Sequence, residues 1–142
     1  MKNLILLAVF VLCLSGTILA QDMEGNIVVV TTMETKSNPD GSIAEFDSLN
    51  QLFTGKVIKK NELMLSAKTL NHMWGNNNRD FLVMYEVKSW EDIPKANQKN
   101  DELFEAAWKT KEERKAFNKA WNAYFTGKHS DEIYMEVKSG RK

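Results

Sequence analysis

The chain has 142 residues, 27% of them charged and 43% hydrophobic, with 19 basic residues against 19 acidic ones. That balance offers no basic surface for nucleic acid and no acidic tail for a basic partner. One cysteine in the whole chain excludes both a disulfide framework and a cysteine-based zinc site.

The N-terminus reads as a leader. Lys2 and Asn3 are followed by an uncharged apolar run from Leu4 to Leu14. This run is shorter than the about 20 residues that a bilayer span requires. Ser15 and Gly16 break it, and Ala20 supplies a small residue before a cut that leaves Gln21 first. The expectation is a signal peptide over residues 1–20, an exported product in the periplasm or outside the cell, and a single domain over 21–142 with no membrane anchor. Cys13 lies inside the leader behind Leu12, which disfavours lipidation, so the mature domain holds no thiol. Losing Lys2 tips the charge balance by one toward acidic.

In the mature part, Asn26 to Met33 (NIVVVTTM) is β-branched and nearly continuous, which predicts a buried strand. Asn38-Pro39-Asp40-Gly41 is a turn, and Ser42 is placed to cap a helix. From there Ile43, Phe46, Leu49, Phe53 and Val57 recur every three or four residues along one helical face, with Gly55 as its weak point. Glu62 to Trp74 turns extended and ends at Gly75. Asn76 to Asn78 forms the turn of a hairpin whose second strand alternates Phe81, Val83, Tyr85 and Val87.

Trp90 to Pro94 reads as a connector. Leu103, Phe104, Ala107 and Trp108 then mark an amphipathic helix that breaks or bends at Lys109 to Lys111. Phe117, Trp121, Tyr124 and Phe125 continue a second helical face, which Gly127 stops. Ile133, Met135 and Val137 alternate as a last strand, opened by His129. Trp108 and Trp121 fit helical core positions.

Strand, helix, strand, strand, helix, strand is the split βαβ order. It gives an α+β, ferredoxin-like βαββαβ domain whose four-stranded antiparallel sheet has helices on one face. Both alternation sets of the first and third strands are apolar, so the other face also needs a cover. A second copy of the same sheet meets that need, and a homodimer follows.

This arrangement resembles the ferredoxin-like dimeric α+β barrel superfamily, which includes antibiotic-biosynthesis monooxygenases, haem-degrading enzymes and NIPSNAP-like proteins. More closely, His72-Met73-Trp74-Gly75, Asn78-Arg79-Asp80, Tyr85-Glu86 and Ser89-Trp90-Glu91-Asp92-Ile93 are similar to a group of exported bacterial proteins, most of them without an assigned activity. Asn100-Asp101-Glu102-Leu103, Ala107-Trp108, Arg114-Lys115 and His129-Ser130-Asp131-Glu132-Ile133-Tyr134 extend the likeness over nearly all the mature chain. The resemblance implies a fold, and fold alone does not carry chemistry.

Among candidate site residues, His72 leads as a catalytic base or an iron ligand. No carboxylate or cysteine stands near it at ligand spacing, so no metal site is expected, and the ordinary reading is a hydrogen-bonded histidine beside Trp74. His129 with Asp131 forms a possible base and its orienting carboxylate, or merely closes a turn. Placed at the two ends of one sheet, His72 and His129 are not expected to share a site. Trp74, Tyr85, Phe53 and Arg79 are the candidate ligand-binding residues, with Arg79 equally suited to a surface ion pair.

Two functions of different class follow. One is an exported dimer that binds a small, partly apolar ligand between sheet and helices, lined by His72, Trp74, Tyr85 and Phe53. The other is a cofactor-independent monooxygenase or haem-handling enzyme that uses His72. A purely structural role for the tryptophans is the third reading, and the residues alone name no cofactor.

Overall fold

The computed structural model describes residues 25–76 and 78–137. The leader over 1–20 and the basic tail from Lys138 to Lys142 lie outside the described residues. Seven elements follow in order: β1 (Ile27–Thr35), α1 (Ile43–Lys56), β2 (Ser66–Asn71), β3 (Asp80–Val87), α2 (Asp92–Ala107), α3 (Lys111–Asn122) and β4 (Phe125–Met135). A single 3-10 turn, Ile58–Lys60, follows α1. The strands form one antiparallel sheet in the order β2-β3-β1-β4, so the ferredoxin-like fold expected from the pattern is the fold observed.

Local chemistry explains most boundaries. Ser42 caps α1, its hydroxyl accepting the Glu45 N–H at 3.1 Å. Thr110 and Glu113 form a reciprocal capping box that restarts the chain as α3 after the bend at Lys109. Two expectations need correction. Trp90 to Pro94 is not all connector, because α2 begins at Asp92. Pro94 sits in its first turn, where a missing N–H costs nothing. Tyr124 and Phe125 do not extend a helix either. α3 ends at Asn122, and Gly127 lies inside β4 at φ +88°. There β4 carries extra chain against β1 between the Met33–His129 and Thr35–Phe125 pairs, and glycine tolerates the left-handed backbone such a bulge demands. β4 is accordingly longer than expected, and His129 sits within it rather than at its start.

The core is one layer between sheet and helices, gathered in three clusters. Ile27, Val87 and Ala96 close one end of the sheet. Phe81, Tyr124 and Phe125 close the other. There Phe46 of α1 lies 5.1–5.6 Å, ring centre to ring centre, from Tyr124, Phe81, Trp121 and Phe125. Val57, Trp108 and Phe117 bind the three helices to one another.

The opposite face of the sheet presents Val28, Val30, Leu82 and Met84 from the two central strands. They are only partly buried and belong to none of these clusters. Leu70 and Tyr134 on the edge strands are 45% and 51% exposed.

The loop from β1 to α1 is fastened by Tyr124. Its hydroxyl accepts the Ser42 N–H at 3.1 Å and lies 2.5 Å from a Glu45 carboxylate oxygen. A Cβ at Gly41 would overlap that hydroxyl and the Asn38 amide nitrogen, whereas one at Gly55 would meet nothing. Gly41→Ala should therefore destabilise the domain by about 1–3 kcal/mol. Gly55→Ala should stabilise it by about 0.5–1 kcal/mol through helix propensity. Urea denaturation of the two variants beside wild type checks the opposite signs.

Candidate functional site

The sheet's helix-facing side is built in rows across the strands. The row Asn71, Phe81, Met33, His129 and the row Ala67, Tyr85, Val29, Ile133 each place bulk in the central strands. Between them runs Thr69, Val83, Thr31 and Asp131, whose central members are short. Helices held off by the larger rows cannot close on the short one, and space remains.

That space forms two adjoining chambers sharing Phe53, Ile58, Val83 and Trp121. One measures about 470 Å³ and reaches Thr31, Asn100, Asp101 and Asn118; the other, about 160 Å³, reaches Asn50, Thr69 and Tyr85. Phe53, Phe117 and Trp121 stack as a wall, with Phe53–Phe117 at 6.1 Å and 22° and Phe117–Trp121 at 6.2 Å and 15°. A mostly apolar concavity with a few polar groups at its mouth suits a small organic molecule.

The polar groups are held in place. The Tyr85 hydroxyl donates to Asn97 Oδ1 at 3.0 Å, Asn50 Nδ2 donates to Thr69 Oγ1 at 3.2 Å, and Thr31 donates to Asp131 at 2.6 Å. Burial holds the Tyr85 phenol above its ordinary pKa, and the Asp131 carboxylate pushes the same way. Tyr85 therefore stays a neutral donor to high pH.

Of the residues singled out from sequence, Tyr85 and Phe53 come together in this space. His72 and Trp74 do not join them. His72 follows the last residue of β2, its N–H donating to the Asp80 carbonyl at 3.2 Å. It lines a separate groove of about 420 Å³ with Lys36, Phe46, Asp47, Asp80 and Tyr124. Trp74 is 94% exposed at the hairpin and does not pack on His72 as expected. Arg79 pairs with Glu34 at 2.9 Å, the surface ion pair that its sequence context allowed.

His129 and Asp131 share the helix-facing side, with Nε2 3.5 Å from a carboxylate oxygen. The expected separation of the two histidines stands for a different reason. His129 and His72 lie toward the same end of the sheet but on opposite edges, three strand spacings or about 14 Å apart.

Sequence reasoning passed over Asn50, Asn100 and Asn118. Each sits three or four residues before an aromatic that lines the space, at Asn50–Phe53, Asn100–Phe104 and Asn118–Trp121, so an amide interrupts the apolar stripe of each helix. That interruption was the readable signal. Among the described residues, no group of three or more His, Cys, Asp or Glu is placed to hold a metal ion, and no helix is long and apolar enough to cross a membrane.

No protein-family model matches the chain, and no curated protein does. Solved structures do. A dimeric ferredoxin-like protein from an uncultured marine organism is 13% identical, with a TM-score of 0.54 over 84% of this chain and 95% of that one. A Caulobacter crescentus CB15 protein, provisionally assigned as an antibiotic-biosynthesis monooxygenase, is 17% identical, with a TM-score of 0.51 over 80% and 92%. A point mutant of SnoaB, a cofactor-independent oxygenase from Streptomyces nogalater, is 9% identical, with a TM-score of 0.51 over 83% and 99%. At these identities the likeness is one of fold.

A phenol whose folded pKa is raised contributes stability that is complete below its ordinary value of 10.0 and lost as pH climbs through the raised one. Wild-type stability should fall with pH above about 10, and Tyr85→Phe should flatten that fall. Denaturant midpoints between pH 9 and 11 measure it; equal slopes would show that the Tyr85 phenol is not raised in the folded state.

Proposed function

We propose that this is an exported protein that works as a pair of copies joined through their bare sheet faces, each holding a small, partly apolar molecule between sheet and helices. The observation that carries the reading is the aromatic-walled cavity over the short middle row, with an asparagine from each of three helices at its margin. The dimeric ferredoxin-like protein named above supports the pairing by analogy of fold.

A second reading, a cofactor-independent oxygenase, draws on the fold shared with SnoaB and on a neutral phenol in the cavity wall. A partly closed apolar site shields a reactive intermediate from water. His72, expected from the sequence to be the base, lines a separate groove, so this reading asks for its base among the groups of the cavity itself. Haem does not fit this histidine. Lys36, Asp47 and Asp80 crowd the groove with charge, where a flat macrocycle needs an apolar slot.

Native mass spectrometry of the protein purified from its own host tests the binding reading. The spectrum should show a dimer whose chains begin at Gln21 and carry a retained small molecule. Val83→Trp should fill the middle row and lose that molecule with the dimer intact, while His72→Ala keeps it. Retention after Val83→Trp would place the ligand elsewhere.

The pairing has its own test. Val30→Glu should convert the dimer to a monomer by light scattering at micromolar concentration, because it puts an unpaired charge in the apolar centre of the face. A monomeric wild type would end the proposal.

A further inference from the structure

Asn61 follows the 3-10 turn after α1 and is 3% exposed, the one polar residue among the described residues that is buried. Backbone groups fix which way its amide points. Its Oδ1 accepts the Leu63 N–H at 3.1 Å, and its Nδ2 donates to the Ala96 carbonyl at 2.8 Å. Neither partner can exchange roles, since a backbone N–H only donates and a carbonyl only accepts. The remaining N–H of Asn61 points at the Asn100 side chain, 2.8 Å away. Asn100 must answer with its oxygen, which turns its own Nδ2 away from Asn61. Asn100 lines the larger chamber, and its Nδ2 makes no hydrogen bond among the described residues. The margin of that chamber thus carries a donor whose polarity is set one residue deeper in the core.

Asp101 lines the same chamber, and its negative charge disfavours an anion there. The wall from Phe104 through Phe117 to Trp121 is apolar. We infer that Asn100 orients a neutral, largely apolar carbonyl compound by donating from Nδ2 to its oxygen, and that Asn61 is the positioning residue that holds this donor in place. The inference rests on the binding reading above and names the ligand class for it.

Two rigid probes of nearly equal shape, fluorenone and fluorene, isolate the carbonyl. By calorimetry at pH 8 the full-length mature protein should bind fluorenone about three- to tenfold more tightly than fluorene, the effect of one net hydrogen bond. Asn100→Asp keeps the acceptor that Asn61 requires but removes the outward donor, and should erase the preference, so that the ratio of the two affinities falls to about one. Asn61→Ala frees the Asn100 amide to turn, and should reduce the ratio of the two affinities toward one, whereas a merely structural role would change both affinities alike and leave the ratio. Circular dichroism confirms that each variant is folded.

Equal binding of both probes by wild type, or a preference that survives Asn100→Asp, overturns the inference and leaves the binding reading standing. Binding of neither probe overturns both.

Discussion

The architecture depends on unequal side-chain size along one face of the sheet. Ile27, Val87 and Ala96 prop the helices at one end, and Phe46 with Phe81, Tyr124 and Phe125 props them at the other. Thr31 and Val83 lie between these supports and are too short to reach the helices. Because protein interiors are close-packed, bulky supports at both ends forbid the middle from collapsing. Phe53, Phe117 and Trp121, drawn together by contact among the helices, become the roof of the gap that is left. Enlarging Val83 or trimming Phe46 would change the space without changing the topology.

The sheet's other face shows how the same chain manages charge. Its ionised groups lie toward the strand ends and edges, and several are satisfied locally. Glu86 accepts from Asn26 at 2.5 Å and from Ser66 at 2.8 Å. Glu34 is held below the usual carboxylate range first by the Thr126 hydroxyl and then by Arg79 and Lys128, so it stays ionised and paired. Carboxylates supplied with their own partners can border an interface without becoming stranded charges. The centre around Val28, Val30, Leu82 and Met84 is apolar.

Much of this was legible in the sequence, because periodicity is a local property. The alternation from Phe81 to Val87 and the three-to-four spacing from Ile43 to Val57 locate strand, helix and buried face together. Phe53 and Tyr85 were found that way and do line the cavity. His72 and Trp74 were grouped with Tyr85 because they lie close along the chain. Register separates them: in the hairpin Tyr85 pairs with Ala67, while His72 lies beyond Asn71 at the far end of the sheet. Periodicity also misread Phe117 to Phe125, where a helical spacing of aromatics runs across the α3–β4 junction. There Tyr124 and Phe125 serve the same cluster from a strand start. Long-range pairing decides such cases, and β1's register with β4 is written in no short window.

Space alone is weak testimony to binding. A dry, closed void costs the fold roughly 24 cal/mol per Å³, but a cleft open to water costs far less and can persist without a use. The chemistry of the lining says more. On each of three helices, an asparagine stands where the apolar stripe would take an aliphatic residue, and Asn61 is fully buried to govern one of them. Burying an amide gives at best a modest net gain even when every bond is made, so an apolar residue would serve packing at least as well. The placement gains its advantage when the cleft holds a molecule that needs a directed donor. These amides border the aromatic-walled cleft, and His72 does not.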